Sequence, residues 1–275
     1  MIRALLLCLV PILLTQCTVV NDLSRFQDAC TGDINKTRDF EAVLSGLEAY
    51  SQSNLAFSRI ELRIVNETHT IVSRAVVYGH NTELEGDTVE VYMPNAIPPG
   101  EHKVHLFIKD TLIPTDSSMT TDGQPSQRTP SWIRDMCPSG LFEFEADDAF
   151  QTLDDPPTTD VGNPFLMELR DLFPHSDGKQ RLEMQISDDI EDLTRGYFRI
   201  AGFTNNTILV GVPGIAEANH RYKIEFYADK NQNGVYDGHP DDHSWSLIET
   251  AGPLGLFLIG DNAWVHDTNF AVVDF

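Results

Sequence analysis

The chain has 275 residues, of which 41% are hydrophobic, so it is long enough for one large or two ordinary domains with real cores. Its 42 acidic residues against 19 basic ones give a net charge of −23. This charge repels phosphate backbones and argues against nucleic acid as a partner. It also attracts divalent cations and favours solubility, including in a saline medium.

The first sixteen residues predict a signal peptide, because one early charge, Arg3, precedes an apolar run too short to span a bilayer. The run ends at Cys17 in the order Leu-Leu-Thr-Gln-Cys, which resembles a bacterial lipoprotein signal in which the cysteine is lipidated. Gln16 departs from that pattern, since Gly, Ala or Ser normally precedes the cysteine, and ordinary cleavage near Cys17 is the alternative. We expect an exported protein, anchored at the bacterial cell envelope through a lipid on Cys17 or secreted.

The cysteines fit an oxidising compartment. Cys8 would be lost with the signal peptide and Cys17 would carry the lipid, which leaves Cys30 and Cys137 as a pair. The sequence therefore predicts a disulfide between Cys30 and Cys137. The alternative is two unpaired buried thiols.

An internal repeat sets the predicted architecture. The aligned segments are residues 60–64 with 182–186, 87–94 with 206–213, 102–110 with 222–230, and 131–132 with 244–245. Within each unit, alternating apolar residues separated by Gly, Pro, Asn and Asp are typical of antiparallel strands. We expect an all-β protein of two tandem antiparallel β-sandwiches, immunoglobulin-like or transthyretin-like.

Composition divides the chain into five parts. We predict a signal peptide at 1–16, an N-terminal tether at 17–36, a first sandwich at 37–146, a linker at 147–162, and a second sandwich at 163–275. The opening of the first unit, with Phe40, Leu44 and Leu47, also fits a short helix. The parallel segment of the second unit includes Pro174, which favours a strand.

An Asp- and Asn-rich loop follows the strand predicted at 222–228. Gly stands at its sixth position and oxygen-bearing side chains stand at positions one, three, five and nine, which are Asp229, Asn231, Asn233 and Asp237. In an EF-hand-type loop these positions supply Ca²⁺ ligands together with the carbonyl at position seven, here Val235. The loop resembles those of dockerins and thrombospondin type 3 repeats, which implies Ca²⁺ as its ligand.

The loop departs from that pattern at position twelve. Pro240 replaces the bidentate acid there, which leaves Asp241 or Asp242 to complete the ligand shell. We therefore expect structural binding with a dissociation constant on the order of 10⁻⁴ to 10⁻³ M, and in the second unit only. The alternatives are a plain Asn-Gly hairpin turn and a transition-metal cluster of His239, Asp241, Asp242 and His243.

Other histidines and tryptophans are interpreted as structural. Four histidines lie scattered in or beside predicted strands and turns and are assigned to packing or to the surface: His102, His105, His175 and His220. Trp132 and Trp245 occupy equivalent repeat positions, which favours a core role over ligand stacking.

Nothing in the sequence carries an enzyme signature of the serine-hydrolase, zinc-protease or phosphate-loop kind. The segment after Cys17, the duplicated unit, and the sequences FYADKNQNGVYD and DHSW resemble an uncharacterised group of exported bacterial lipoproteins, which implies no known activity. We expect a surface-anchored structural or binding module whose loop is held by Ca²⁺, with a protein or glycan partner still to be identified. The alternatives are an extracellular hydrolase acting on polysaccharide and a carbohydrate-binding module.

Overall fold

The computed structural model describes residues 30–46, 57–80, 88–111, 131–145, 158–273 and 275. The predicted signal peptide, Cys17 and most of the predicted linker lie outside these residues. Within them, no helix is long and apolar enough to cross a membrane.

Strands of the first unit pack as two sheets. They are β1 (Arg38–Ser45), β2 (Phe57–Asn66), β3 (Thr70–His80), β4 (Val89–Ile97), β5 (His102–Thr111), β6 (Ser131–Asp135) and β7 (Leu141–Glu145). One sheet has the order β4-β1-β7 and the other contains β3-β2-β5-β6. Alternate residues of β1, such as Phe40, Ala42 and Leu44, are fully buried between them, as the period of two predicts.

The second unit follows the same plan. Its strands are β8 (Thr159–Asp160), β9 (Asn163–Arg170), β10 (Arg181–Asp188), β11 (Leu193–Ala201), β12 (Ile208–Ala216), β13 (Arg221–Asp229), β14 (His243–Thr250), β15 (Leu256–Leu258) and β16 (Trp264–Val265), with a 3₁₀ turn at Gly260–Asn262. One sheet has the order β12-β9-β15, with β16 also beside β9, and the other contains β11-β10-β13-β14.

Strand pairing repeats between the units. β1 is antiparallel to β4 and parallel to β7, and β9 is antiparallel to β12 and parallel to β15. The all-β prediction is confirmed, and the described openings of the two units form strands β1 and β9. The parallel pairs are a difference from the purely antiparallel expectation. The observed order differs from the ABED and CFG grouping of immunoglobulin sheets.

The two units share one continuous sheet, because β11 pairs in parallel with β3. Tyr197 lies opposite Ala75 and both pack in the first core, whereas Phe198 and Val76, the next pair, pack in the second. The two smaller sheets therefore cover opposite faces of the shared sheet. The end of the predicted linker joins this arrangement, since β8 pairs with β3.

The predicted disulfide is present. Cys30 and Cys137 are bonded with a Cα–Cα distance of 4.8 Å across 107 residues of sequence. The bond ties the segment before β1 to the turn before β7, next to the parallel pairing of these strands.

Candidate metal centre

The Asp- and Asn-rich loop joins β13 to β14, and the buried Asp229 ends β13. The Asp229 carboxylate accepts hydrogen bonds from the amide of Asn233 at 3.2 Å and from the amide of Gly234 at 2.8 Å. Gly234 has φ +82°, a conformation that glycine adopts without steric penalty. The first residue of the predicted ligand set thus fixes the backbone at positions five and six.

Three other predicted ligands meet in the middle of the loop. Oδ1 of Asn231 accepts from the amide of Asn233 at 3.1 Å, and the side-chain amide of Asn231 donates to Oδ2 of Asp237 at 2.8 Å. Oδ1 of Asn233 accepts from the amide of Val235 at 2.9 Å. Val235 itself is 60% exposed, so it contributes to the loop through its backbone and not through its side chain.

Of the two acids proposed to close the loop, Asp242 turns inward and Asp241 is exposed. The Asp242 carboxylate accepts from the amide of Lys230 at 3.0 Å and from the amide of Asp237 at 2.8 Å. Burial raises the pKa of Asp242, and the charges of Asp229 and Asp237 add to this effect against the two amide bonds. Negative charge therefore concentrates where the loop begins and ends.

The alternative cluster of His239, Asp241, Asp242 and His243 does not converge. His239 stacks on Phe270 with ring centroids 3.8 Å apart, while Asp242 faces the loop. The three loop carboxylates also do not form a set within 4.8 Å of one another. Among the described residues, three His, Cys, Asp or Glu ligand atoms come that close at two other places.

The first place is a histidine cluster formed by His175, His243 and His266. His175 lies in the turn after β9, His243 begins β14, and His266 follows β16, so the cluster spans the edge between the two sheets of the second unit. The sequence interpretation treated His175 as a scattered residue and left His266 unassigned. One signal was available: the shared Ser-Trp pair is preceded by Pro130 in the first unit and by His243 in the second.

Burial sets the protonation of the cluster. The pKa of His175 is lowered to about 4, chiefly by desolvation; the hydrogen bond to Gln180 opposes the shift, and the nearby His243 and His266 add to it. Burial, followed by His243, also lowers the pKa of His266. Both imidazoles are therefore neutral at neutral pH.

The second place combines Asp188, Glu217 and His220. Asp188 is fully buried and accepts from the amides of Ile190 at 2.8 Å and Glu191 at 3.1 Å, and from His220. This bond to Asp188 raises the pKa of His220. Glu217 is paired with Arg195 at 3.1 Å, so the acids of this cluster already have cationic or N–H partners. We interpret this cluster as a structural network of hydrogen bonds and ion pairs.

Trp132 and Trp245 are buried at equivalent positions in the two cores, as predicted. A depression beside the end of β14 is lined by one carboxylate, Glu249, together with the polar Thr250 and Asn262, two glycines and apolar side chains of β15. Glycosidases place two carboxylates across such a site.

No known protein-family model matches the chain, and no curated protein is significantly similar to it.

Proposed function

We propose that the protein is an exported structural or binding module, anchored at the bacterial cell envelope by a lipid on Cys17, with Ca²⁺ stapling loop 229–242 of its second sandwich. The observation that supports this best is the inward turn of Asp229 and Asp242, whose carboxylates are wrapped by amides of the loop itself, while Asn231 donates to the exposed Asp237 between them. Loops at the ends of β-sandwiches are common binding sites.

The chemistry of the loop favours a hard cation. Ca²⁺ takes six to eight oxygen ligands, and the loop offers three carboxylates, two side-chain amide oxygens and the Val235 carbonyl. A bound divalent ion would offset the repulsion among the carboxylates. The Gly234 carbonyl is not among these ligands, because it accepts a hydrogen bond from the Arg181 guanidinium.

The first unit supplies an internal contrast. Lys109 lies opposite Arg59 on β2, the position that Asp229 takes opposite Arg181 on β10. A lysine at the first ligand position would repel a cation, so the loop is an addition to the shared scaffold of the second unit.

Calcium titration tests the loop. At ~10 mM Ca²⁺, a site with a dissociation constant of ~10⁻³ M raises the free energy of unfolding by about 1.4 kcal/mol. We expect this gain in thermal unfolding of the parent and of an Asp135→Ala control, in which an exposed acid of β6 is removed. The gain should vanish in Asp237→Asn and in Asp229→Ala/Asp237→Ala. An equal gain in parent and loop variants would refute the calcium site.

Mass spectrometry of the mature N-terminus tests the anchor. We expect a diacylglyceryl group on Cys17, and a mature chain that begins beyond this residue would refute the lipoprotein assignment. The burial of Trp132 and Trp245 counts against the carbohydrate-binding alternative, because it removes them as a sugar-stacking platform.

A further inference from the structure

We propose that His175, His243 and His266 bind a borderline transition-metal ion, Zn²⁺ or Cu²⁺, at a site separate from the Asp229 loop. Imidazole nitrogen suits these ions, whereas Ca²⁺ takes oxygen ligands. The two sites are neighbours, since His243 directly follows Asp242.

The geometry is close to that of a bound site. The ligand nitrogens of the three rings lie within 4.8 Å of one another. Bonds of 2.0–2.1 Å in tetrahedral geometry put two nitrogens ~3.4 Å apart, so the rings need to close by no more than ~1.4 Å. Small side-chain rotations achieve this, because two of the histidines lie in turns outside the strands.

Hydrogen bonds show which ring nitrogens of His175 and His243 remain available to a metal ion. Nδ1 of His175 bonds Oε1 of Gln180 at 2.9 Å, and Nε2 of His243 bonds the carbonyl of Asn269 at 2.8 Å. Because both partners are acceptors, these nitrogens carry the protons, which leaves a lone pair on Nε2 of His175 and Nδ1 of His243. Metal-ligating histidines are usually oriented by such a bond from their second nitrogen.

Two buried ring nitrogens of the cluster have no hydrogen-bond partner. His175 is only 4% exposed, and its Nε2 has no hydrogen-bond partner. Nε2 of His266 is buried and unpartnered as well. A buried ring nitrogen without a partner is destabilising, and a metal ion would supply the missing partner. In the other cluster, by contrast, the carboxylates of Asp188 and Glu217 all have hydrogen-bond or ion-pair partners. Unpartnered ligand atoms are therefore not a general consequence of bringing three such residues together.

Aromatic rings form the wall behind the histidines. The Trp245 ring lies 4.1 Å from His243, 5.5 Å from His266 and 5.6 Å from His175, measured between centroids. Trp245 packs in turn on Trp264, at 5.1 Å. His243 and His266 remain half-buried, so the opposite side is open. Three protein ligands leave a tetrahedral ion one position for water or another donor.

Metal uptake tests the proposal directly. The purified protein, stripped with chelator, would be titrated separately with Zn²⁺, Cu²⁺ and Ca²⁺ at pH 7, and bound metal counted after equilibrium dialysis. We expect one equivalent of Zn²⁺ or Cu²⁺ in the parent and in a His220→Gln control. His243→Gln and His266→Gln should lose it, and Gln180→Leu should bind 10- to 100-fold more weakly because His175 loses its orienting bond.

Two further measurements locate the bound ion and check that each variant is folded. Cu²⁺ at the site should quench the fluorescence of Trp245 and Trp264 in the parent, and thermal unfolding without metal shows whether each variant is folded. No uptake by the parent, or equal uptake by the parent and folded His243→Gln and His266→Gln variants, overturns the site. Uptake that depends on Asp229 and Asp237 instead would place the ion in the loop and also overturn it. Ca²⁺ stabilisation that survives in the histidine variants belongs to the loop alone.

Discussion

Individual charges are buried in places that strand alternation would assign to solvent. Glu61 is 2% exposed and pairs with Arg59 at 2.8 Å, Arg63 at 2.7 Å and Arg74 at 3.3 Å. Arg74 also donates to the Pro213 carbonyl of the second unit, so part of this face is covered by the neighbouring sandwich. An alternating strand in an isolated sandwich would expose it.

Glu61→Gln tests this network. Removal of the carboxylate leaves three guanidinium groups in one buried place, and we expect the free energy of unfolding at pH 7 to fall by about 3 kcal/mol. Burial alone would raise the pKa of Glu61, but the charges of Arg59, Arg74 and Arg63 outweigh it and lower the pKa to about 2.

The pH dependence follows from that direction. A lowered carboxyl pKa contributes stability that is complete above the ordinary value of 4.5 and is lost as pH falls through about 2. In urea unfolding, the gap between parent and Glu61→Gln should therefore shrink from pH 4.5 towards pH 2. The exposed Glu90→Gln should stay within about 0.5 kcal/mol of the parent. A gap that stays constant with pH would contradict the assignment.

At the scale of elements, the disulfide and a tight turn hold β7 in parallel beside β1. Gly140 precedes β7 with φ +94°, and a Cβ there would lie 1.9 Å from the Asp39 carbonyl oxygen. Only glycine fits so close to the β1 backbone. The Cys30–Cys137 disulfide also holds the turn before β7, by linking it to the segment before β1.

Cys30→Ser/Cys137→Ser tests the contribution of this bond. The bridge closes a loop across 107 residues, so its loss should lower the free energy of unfolding by about 2–5 kcal/mol in denaturant titration. Reductant should bring the parent to the stability of the double variant and leave the variant unchanged. Equal unfolding midpoints for the oxidised parent and the variant would show that the bridge is dispensable.

At the scale of the whole molecule, the shared sheet makes the two sandwiches interdependent. Tyr197 of the second unit packs in the first core, and Val76 and Tyr78 of the first unit pack in the second. Each core is therefore completed by its partner, and we expect the described part of the chain to unfold in one transition.

Leu62→Ala, introduced into a Trp132→Phe background, tests this coupling. The background leaves Trp245 and Trp264 as the tryptophans, both in the second unit. Loss of the buried Leu62 side chain should cost about 2–4 kcal/mol and shift the transition that these two residues report. A shift seen by circular dichroism but not by tryptophan fluorescence would mean that the units unfold independently.

The β content, the repeat, the cysteine pair and the turn chemistry of the Asp- and Asn-rich loop could all be predicted from the amino-acid sequence. These features depend on local spacing: a period of two, a duplicated pattern, an even cysteine count and the turn chemistry around Gly234. Asp229, Asn231, Asn233 and Asp237 are close in the chain, so their proximity follows from the loop itself.

Only the tertiary structure decided the strand order, the fusion through β3 and β11, and the meeting of His175, His243 and His266. Each depends on which distant segments pair and in which register, and a shift of one residue would turn every side chain to the other face. The same register buries Glu61, and the course of the loop turns Asp242 inward while Asp241 stays exposed.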